Sequence, residues 1–283
     1  MCFISYPFLK KVHLQDVEKS LKIVIALFAI SIFTQFLSFY IFNKVIDFSL
    51  LTGGEPSRMY GALFRPSGLT SEPAIYSGIM IGLLTLLYII NNSSWRYIFT
   101  GIASILMTMS VYGILSSFIF VFIIYLLNIK MGRLLVGGIM IGITILFTMP
   151  ILIERYESYQ NGQDQSNITK VESFNNLLSN PKLTYLGYGF TGKSESAPSY
   201  YEGLYDVTAF GSPLILFGVP IGVFMVAGLC FFIWWIPFSF KEKMLVILAF
   251  SKLSSPTFLF FNLFLLFLLV ISCQRKRRTL LCH

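Results

Sequence analysis

The sequence predicts an all-α, polytopic integral membrane protein with about eight membrane helices. Of its 283 residues, 55% are hydrophobic and only 12% are charged, which leaves too little polar surface to cover a soluble globule of this size. Long apolar runs recur through the chain, and in lipid the outer face of a helix is free to be apolar. A soluble enzyme or soluble binding module is therefore excluded.

The predicted membrane segments follow from the apolar runs, taken in chain order. They cover residues 23–42, 74–90, 97–109, 112–128, 134–152, 209–235, 244–251 and 256–272. The third and seventh runs are shorter than the roughly 17 residues needed to span the hydrocarbon. We expect helix breaks at residues 110–113 and 252–256, which separate the short runs from their neighbours.

The distribution of lysine and arginine predicts the orientation of these segments. If the N-terminus is cytoplasmic and every segment crosses, the cytoplasmic side carries thirteen Lys and Arg against three acidic residues, and the external side carries eight against ten. Both termini are then cytoplasmic. The chain divides into a cytoplasmic segment at 1–22, a membrane domain at 23–272 with external loops 43–73 and 153–208, and a basic tail at 273–283. The tail is typical of a cytoplasmic stop, and no nucleic-acid partner is expected.

The large second external loop is predicted to carry a short amphipathic helix. Apolar residues recur at helical spacing between Ile168 and Leu178. With Ser166 or Asn167 as its cap and Asn180-Pro181 as its stop, this helix would lie on the membrane surface.

Candidate chemistry on the external side has no histidine, because His13 and His283 both fall on the cytoplasmic side. A base there must be a carboxylate or a tyrosine. Glu72 is one candidate, although its place at a helix start makes it equally a helix cap. Glu202 and Asp206 are the others, four residues apart beside several tyrosines, with solvated loop charges as the simpler interpretation.

No cofactor is expected on the external side, since the sequence contains no nucleotide-binding loop. The four cysteines have no zinc-ligand spacing. Neither a disulfide nor a metal site is therefore predicted.

Three arginines, Arg58, Arg65 and Arg155, lie in or beside the external loops near the membrane interface. Guanidinium groups bind phosphate bidentately and keep their charge, which suits the diphosphate of a lipid whose head lies at this depth. Interfacial arginines also commonly bind phospholipid headgroups, and that alternative stays open at each position.

Four further features occur in a set order along the chain. They are Arg65-x-Ser-Gly-Leu-x-x-Glu72-Pro73 before a membrane helix, a large polar loop late in the chain, Leu186-Gly187-Tyr188-Gly189, and Gly218-Val219-Pro220-Ile221-Gly222. Together they resemble bacterial O-antigen polymerases and their relatives, the O-antigen ligases. The order and the topology carry the resemblance over most of residues 40–272, since no motif is specific alone.

The resemblance implies a glycosyltransferase of the bacterial inner membrane that acts on the periplasmic face. Such an enzyme moves a growing glycan from undecaprenyl diphosphate onto the next lipid-linked repeat unit, without a nucleotide sugar. The implied partners are the undecaprenyl-diphosphate-linked oligosaccharide, membrane lipids and a chain-length regulator protein.

Carried onto this chain, the resemblance makes Arg65 a ligand of the leaving diphosphate, with Arg155 and Arg58 as further ligands. Ligases have a periplasmic histidine shortly before the glycine-rich helix start, where this chain has Tyr205 and Asp206. The absence of that histidine favours a polymerase and makes Asp206 a candidate base.

The other candidates for the base remain Glu72 and Glu202. Contacts to the glycan are expected from Tyr188, Tyr201 and Tyr205. Three other functions stay open: a flippase for the same lipid, an O-antigen ligase, and an inactive truncated fragment, because the family usually has more spans and a longer chain. A flippase needs charged groups in a cavity through the membrane, and the apolar runs contain none.

Overall fold

The computed structural model describes residues 13–48, 59–60, 63–125, 149, 153, 157, 160–162, 165–190, 204, 207–253 and 259–281. Their helices are α1 (Leu14–Phe42), α2 (Pro73–Ile90), α3 (Trp95–Met107), α4 (Val111–Tyr125), α5 (Gln165–Ser179), α6 (Pro181–Leu186), α7 (Ser212–Trp235), α8 (Phe240–Phe250) and α9 (Leu259–Leu281). Two short strands, β1 (Met59–Tyr60) and β2 (Leu63–Phe64), pair antiparallel. Apart from this hairpin, the regular structure of the described residues is helical.

Three of these helices, α1, α2 and α7, are long and apolar enough to cross a membrane, and α4 and the Leu259–Arg275 part of α9 are shorter apolar helices. These five apolar helices are consistent with the membrane protein predicted from composition, and the predicted number of eight spans is not confirmed. The weak runs 97–109 and 244–251 correspond to α3 and α8, with 13 and 11 residues. Helices of that length reach only about 20 and 16 Å, short of the roughly 30 Å of the hydrocarbon core. The run 134–152 lies almost wholly outside the described residues.

Helix breaks are present at both predicted places in the described residues, although residues 254–256 of the second break lie outside them. The first falls slightly earlier than expected, because α3 ends at Met107 and α4 begins at Val111. Met109 in this connection adopts a left-handed backbone with φ 49°, which a continuous helix does not allow. At the second break, α8 ends at Phe250.

The predicted amphipathic helix is present as α5, but its start differs and a second helix follows it. α5 begins at Gln165, so Ser166 and Asn167 lie in its first turn and do not precede it. Asn180 both follows α5 and caps α6, since its side chain accepts a hydrogen bond from the amide two residues later at 3.1 Å. Pro181 then occupies the first turn of α6, where its missing N–H is harmless.

The helices group into two units. Unit 1 comprises residues 1–145, 237–249 and 262–283, and unit 2 comprises residues 146–236 and 250–261. Unit 1 therefore holds α1 to α4 with most of α8 and α9. Unit 2 holds α5, α6 and α7.

In unit 1, α1 and α2 run antiparallel. At one end, Asn91 Nδ2 donates to Glu18 Oε1 at 2.8 Å. At the other, the Gly68 amide, shortly before α2, donates to Gln35 Oε1 at 2.8 Å. We call the first the Asn91 end and the second, which carries residues 65–72, the loop end.

The next two helices complete this arrangement. The hydroxyl of Tyr76, early in α2, donates to Ser104 Oγ, late in α3, at 2.8 Å. The rings of Trp95 and Tyr125 then meet with centroids 5.2 Å apart, so α4 returns to the Asn91 end. The loop end therefore gathers the end of α1, the start of α2 and the α3–α4 connection.

Arg275 of α9 ties α8 and α2 together at the Asn91 end. Its guanidinium donates to both carboxylate oxygens of Glu242 at 2.8 and 2.7 Å and also to the carbonyl of Ile89. Glu242 accepts from the Ser239 amide at 2.7 Å while Ser239 Oγ accepts from the Glu242 amide at 3.4 Å, which is a capping box. The Phe238 ring lies 5.2 Å from the guanidinium. This part of the basic tail is thus a fixed structural contact.

Candidate functional site

The segment from Arg65 to Glu72 packs along the side of α1. Gly68 has φ 59°, a conformation that favours glycine, and a Cβ added there would lie 2.7 Å from Ser31 Oγ. Gln35, which accepts the Gly68 amide, lies seven residues before the end of α1. The contact is therefore about 10 Å below that helix end along its axis. Irregular backbone at such depth is tolerated where it is buried against protein.

Phe64 fixes the start of this segment. Its side chain is fully buried, its ring stacks on Phe39 with centroids 4.7 Å apart, and its carbonyl accepts from the Tyr40 hydroxyl at 3.2 Å. Ser67 is 3% exposed. The backbone on both sides of Arg65 is thus held on α1.

Arg65 itself is half-buried between these anchors. A guanidinium stays protonated at any physiological pH and presents a fork of donors that matches phosphate oxygens. Because its backbone is fixed, little conformational freedom of the main chain is lost when an anion binds. The arrangement suits recognition of a phosphate or diphosphate group.

Glu72 occupies the N-cap position of α2, but its carboxylate makes no capping hydrogen bond. Its backbone is extended, and its carbonyl accepts from the Tyr76 amide at 3.0 Å and from Thr70 Oγ1 at 2.9 Å. Of the two roles that the sequence left open, the side-chain cap is therefore not made. The role of base stays a prediction.

In unit 2, α7 is broken near its start. Gly218 has φ 79° and ψ 167°, which are not helical values. The carbonyl of Leu216 would normally accept from residue 220, but Pro220 has no N–H. The carbonyl of Ile215 would accept from the residue directly after the break. Two carbonyls of α7 thus need donors from elsewhere.

The motif from Leu186 to Gly189 supplies those donors. The Tyr188 amide donates to the Ile215 carbonyl at 2.9 Å, and the Gly189 amide donates to the Leu216 carbonyl at 2.8 Å. The sequence feature Leu186–Gly189 therefore contacts α7 directly before the feature Gly218–Gly222.

The two backbones approach too closely for side chains at this contact. A Cβ on Gly187 would lie 2.4 Å from the Gly218 nitrogen and 2.5 Å from the Leu216 oxygen. A Cβ on Gly218 would lie 2.5 Å from the Tyr185 oxygen. Both glycines also have positive φ, 70° and 79°. The same contact thus requires glycine on each side.

The side chain of Tyr188 packs within unit 2. Its hydroxyl donates to the Ser173 carbonyl at 3.3 Å. Its ring packs against a buried cluster formed by Leu177, Leu204, Val207 and Ile215. These contacts hold the motif in place, and the predicted glycan contact of Tyr188 stays a prediction.

The other predicted site residues lie outside the described residues. They are Arg58, Arg155, Tyr201, Glu202, Tyr205 and Asp206. The structure therefore brings Arg65 and Glu72 into one segment of unit 1, places Tyr188 in unit 2, and leaves the remaining assignments as predictions.

Gln35 belongs to the surroundings of the site although the sequence pattern did not assign it a role. It is fully buried and stands within the apolar run 23–42. A primary amide in a membrane helix needs partners for both its donor and its acceptor. A glutamine inside an apolar run could therefore have identified Gln35 from the sequence.

Metal ligation has no support in the part of the chain that the structure describes, where no three His, Cys, Asp or Glu side chains are grouped to hold an ion. Cys230 is exposed and Cys273 is half-buried, and neither of these two is in a disulfide. Cys2 and Cys282 lie outside the described residues.

No protein-family model, curated protein or solved structure matches this chain. The likeness of its motifs to O-antigen polymerases is accordingly a hypothesis, and its function has to be inferred from its own residues.

Proposed function

We propose that the chain polymerises undecaprenyl-diphosphate-linked oligosaccharide repeat units into O-antigen polysaccharide on the periplasmic face of the inner membrane. The bond from the donor sugar to the diphosphate breaks, and a glycosidic bond forms to an acceptor hydroxyl. The hydroxyl proton passes to a base, and undecaprenyl diphosphate leaves. The observation that supports this most is the half-buried Arg65, held against α1 from both sides.

The chemical demand of this reaction matches a fixed cation. Negative charge grows on the diphosphate as the sugar departs, and a preorganised positive group stabilises that charge without having to reorganise. The contact of this segment with α1, about 10 Å from the helix end along its axis, supports a position for Arg65 near the headgroup of a polyprenyl lipid. Arg155 and Arg58 are proposed as further ligands of the same kind.

The proposed topology has eight membrane segments, which include the short helices α3 and α8, with both termini in the cytoplasm. In unit 1, the ion pair of Lys22 with Glu18, at 2.5 Å, lies at the Asn91 end. The pair of Arg275 with Glu242 lies at the same end. Basic residues collect on the cytoplasmic side of membrane proteins, so the opposite loop end, which carries Arg65, is assigned to the periplasm.

Arg65→Ala is expected to abolish the polymer. Loss of a preorganised charge-stabilising group typically lowers the rate by about 10²–10³, enough to leave lipopolysaccharide with single repeat units. The measurement is the lipopolysaccharide ladder of a polymerase-deficient strain that expresses the chain. Arg65→Lys should give short polymers, because lysine keeps the charge but loses bidentate geometry.

Arg96→Ala provides the matched control, since Arg96 is exposed at the start of α3 and its loss should leave the ladder intact. A normal ladder from Arg65→Ala would remove Arg65 from the site. Failure of the wild-type chain to restore any ladder would reject the polymerase function itself.

Asp206→Asn is expected to stop polymerisation with the protein level unchanged, because an amide cannot accept the proton of the acceptor hydroxyl. The ladder and an immunoblot of the membrane fraction measure the two quantities. If the polysaccharide made by Asp206→Asn keeps its normal length, the role of base passes to Glu72 or Glu202.

Transport of the lipid-linked unit has less support. Among the buried polar residues of the described helices, Glu242 carries the charge, and it is paired with Arg275 at the Asn91 end. The others are hydroxyl-bearing residues and the amide of Gln35. These residues form no charged path through the membrane of the kind that a flippase needs.

A further inference from the structure

One buried side chain bonds to both connections at the loop end of unit 1. Gln35 is fully buried on α1. Its Oε1 accepts from the Gly68 amide at 2.8 Å, and its Nε2 donates to the Ile46 carbonyl at 3.0 Å. The orientation of the amide follows from these partners, since a backbone N–H only donates and a carbonyl only accepts. Gln35 thus joins the connection that leaves α1 to the one that enters α2.

Packing alone does not call for glutamine at this position. The neighbouring residues of the run 23–42 are mostly apolar, and leucine or methionine would fill a similar volume without a polar group to satisfy. Glutamine instead meets the hydrogen-bonding needs of two backbone groups, the amide of the buried Gly68 and the carbonyl of the half-buried Ile46.

We propose that Gln35 is a positioning residue of the transfer site, which fixes the depth and direction of the Arg65–Glu72 segment. Gly68 lies three residues after Arg65 and four before Glu72, so one hydrogen bond constrains the backbone that carries both charges. The consequence for sugar transfer rests on the proposed polymerase function. The anchoring of the segment is measurable without it.

Gln35 and Phe64 hold the segment in different ways. Phe64 fixes its start by ring stacking and burial, while Gln35 fixes its middle by a hydrogen bond. Without the acceptor, the Gly68 amide would be buried beside Ser31 and Ile32 at a site where an unpaired N–H is unfavourable. The middle of the segment would then open toward water, and Arg65 would lose its fixed place.

The test follows the exposure of the segment with a thiol reporter. The four native cysteines are replaced by alanine in the full chain, and Ser67→Cys is added, because Ser67 is 3% exposed and the change is nearly isosteric. A membrane-impermeant maleimide then labels the reporter thiol only when the segment leaves α1. This parent chain must restore the ladder as the wild type does.

Gln35→Met is expected to raise the labelling rate at least tenfold and to shorten or abolish the ladder at an unchanged protein level. Gln35→Glu keeps an acceptor for the Gly68 amide and loses the donor to Ile46, so it should rescue part of both effects. Ser38→Ala is the control, since Ser38 Oγ bonds from the same helix to the Lys44 carbonyl and should alter neither reading.

Equal labelling of the parent and of Gln35→Met would overturn the anchoring. Faster labelling with a full ladder would overturn the positioning role, because the released segment would then still work. If the parent and the wild type make no ladder, the polymerase function is wrong, and the labelling rates alone decide whether Gln35 holds the segment.

Discussion

Gly218→Ala is expected to destabilise unit 2 by about 3 kcal/mol or more. A non-glycine residue held at positive φ costs about 1–3 kcal/mol, and the two hydrogen bonds beside Gly218 contribute about 1 kcal/mol each. The added Cβ would meet the Tyr185 backbone at 2.5 Å, which no change of rotamer relieves. Thermal unfolding of the detergent-solubilised protein, followed by tryptophan fluorescence, measures the loss.

Gly189→Ala separates backbone strain from close contact. Gly189 has φ 69°, near the 79° of Gly218, but a Cβ there meets nothing within 4 Å. Gly189→Ala should therefore lose only the free energy that a non-glycine residue costs at positive φ, about 1–3 kcal/mol. Gly187→Ala should match Gly218→Ala, and the double variant should be clearly less than additive because both break one contact. Equal losses for Gly189→Ala and Gly218→Ala would contradict the close approach.

Arg275→Met is expected to lower the stability of unit 1 by about 3 kcal/mol, the lower part of the range for breaking a buried ion pair. The side chain of Glu242 is 11% exposed and that of Arg275 is 33% exposed, so the carboxylate would be left poorly solvated. The Ile89 carbonyl would lose its donor as well. Arg275→Lys should recover only part, because lysine cannot form the two-pronged pair.

Arg96→Met is the matched control for this prediction, since it removes an exposed arginine at the same end of unit 1. It should change the melting temperature little. Adding Glu242→Met to Arg275→Met should restore part of the loss, because the buried charge then disappears with its partner. A loss from Arg275→Met no larger than that from Arg96→Met would show that the pair is not structural.

The membrane helices were predictable where a single physical requirement sets their length. The runs 23–42 and 74–90 give α1 and α2 because lipid demands about 20 apolar residues and a helix supplies their backbone bonds internally. Short motifs that fit both a helix end and a helix start were less predictive of the structure. Asn180-Pro181 ends α5 as expected, but the same pair is also a good helix start, and the structure uses it for both purposes.

Contacts between distant residues account for what the sequence did not predict. The sequence pattern placed Arg65 and Glu72 in one loop. It did not predict how far along α1 that loop packs, because the residue that fixes it, Gln35, lies 33 positions before Gly68. The run 209–235 predicted a membrane segment, and the structure adds a break within it at Gly218. The amides of Tyr188 and Gly189 bind the carbonyls at that break, and no local pattern connects these two residues to α7.

The break in α7 also bears on how the protein is made. Residues 187–189 leave the ribosome before α7 does, and the carbonyls of Ile215 and Leu216 find their donors in that earlier segment. A helix entering the bilayer with open carbonyls is unfavourable. Placement of residues 187–189 against α7 therefore favours insertion of this helix into a bilayer, because it satisfies both carbonyls.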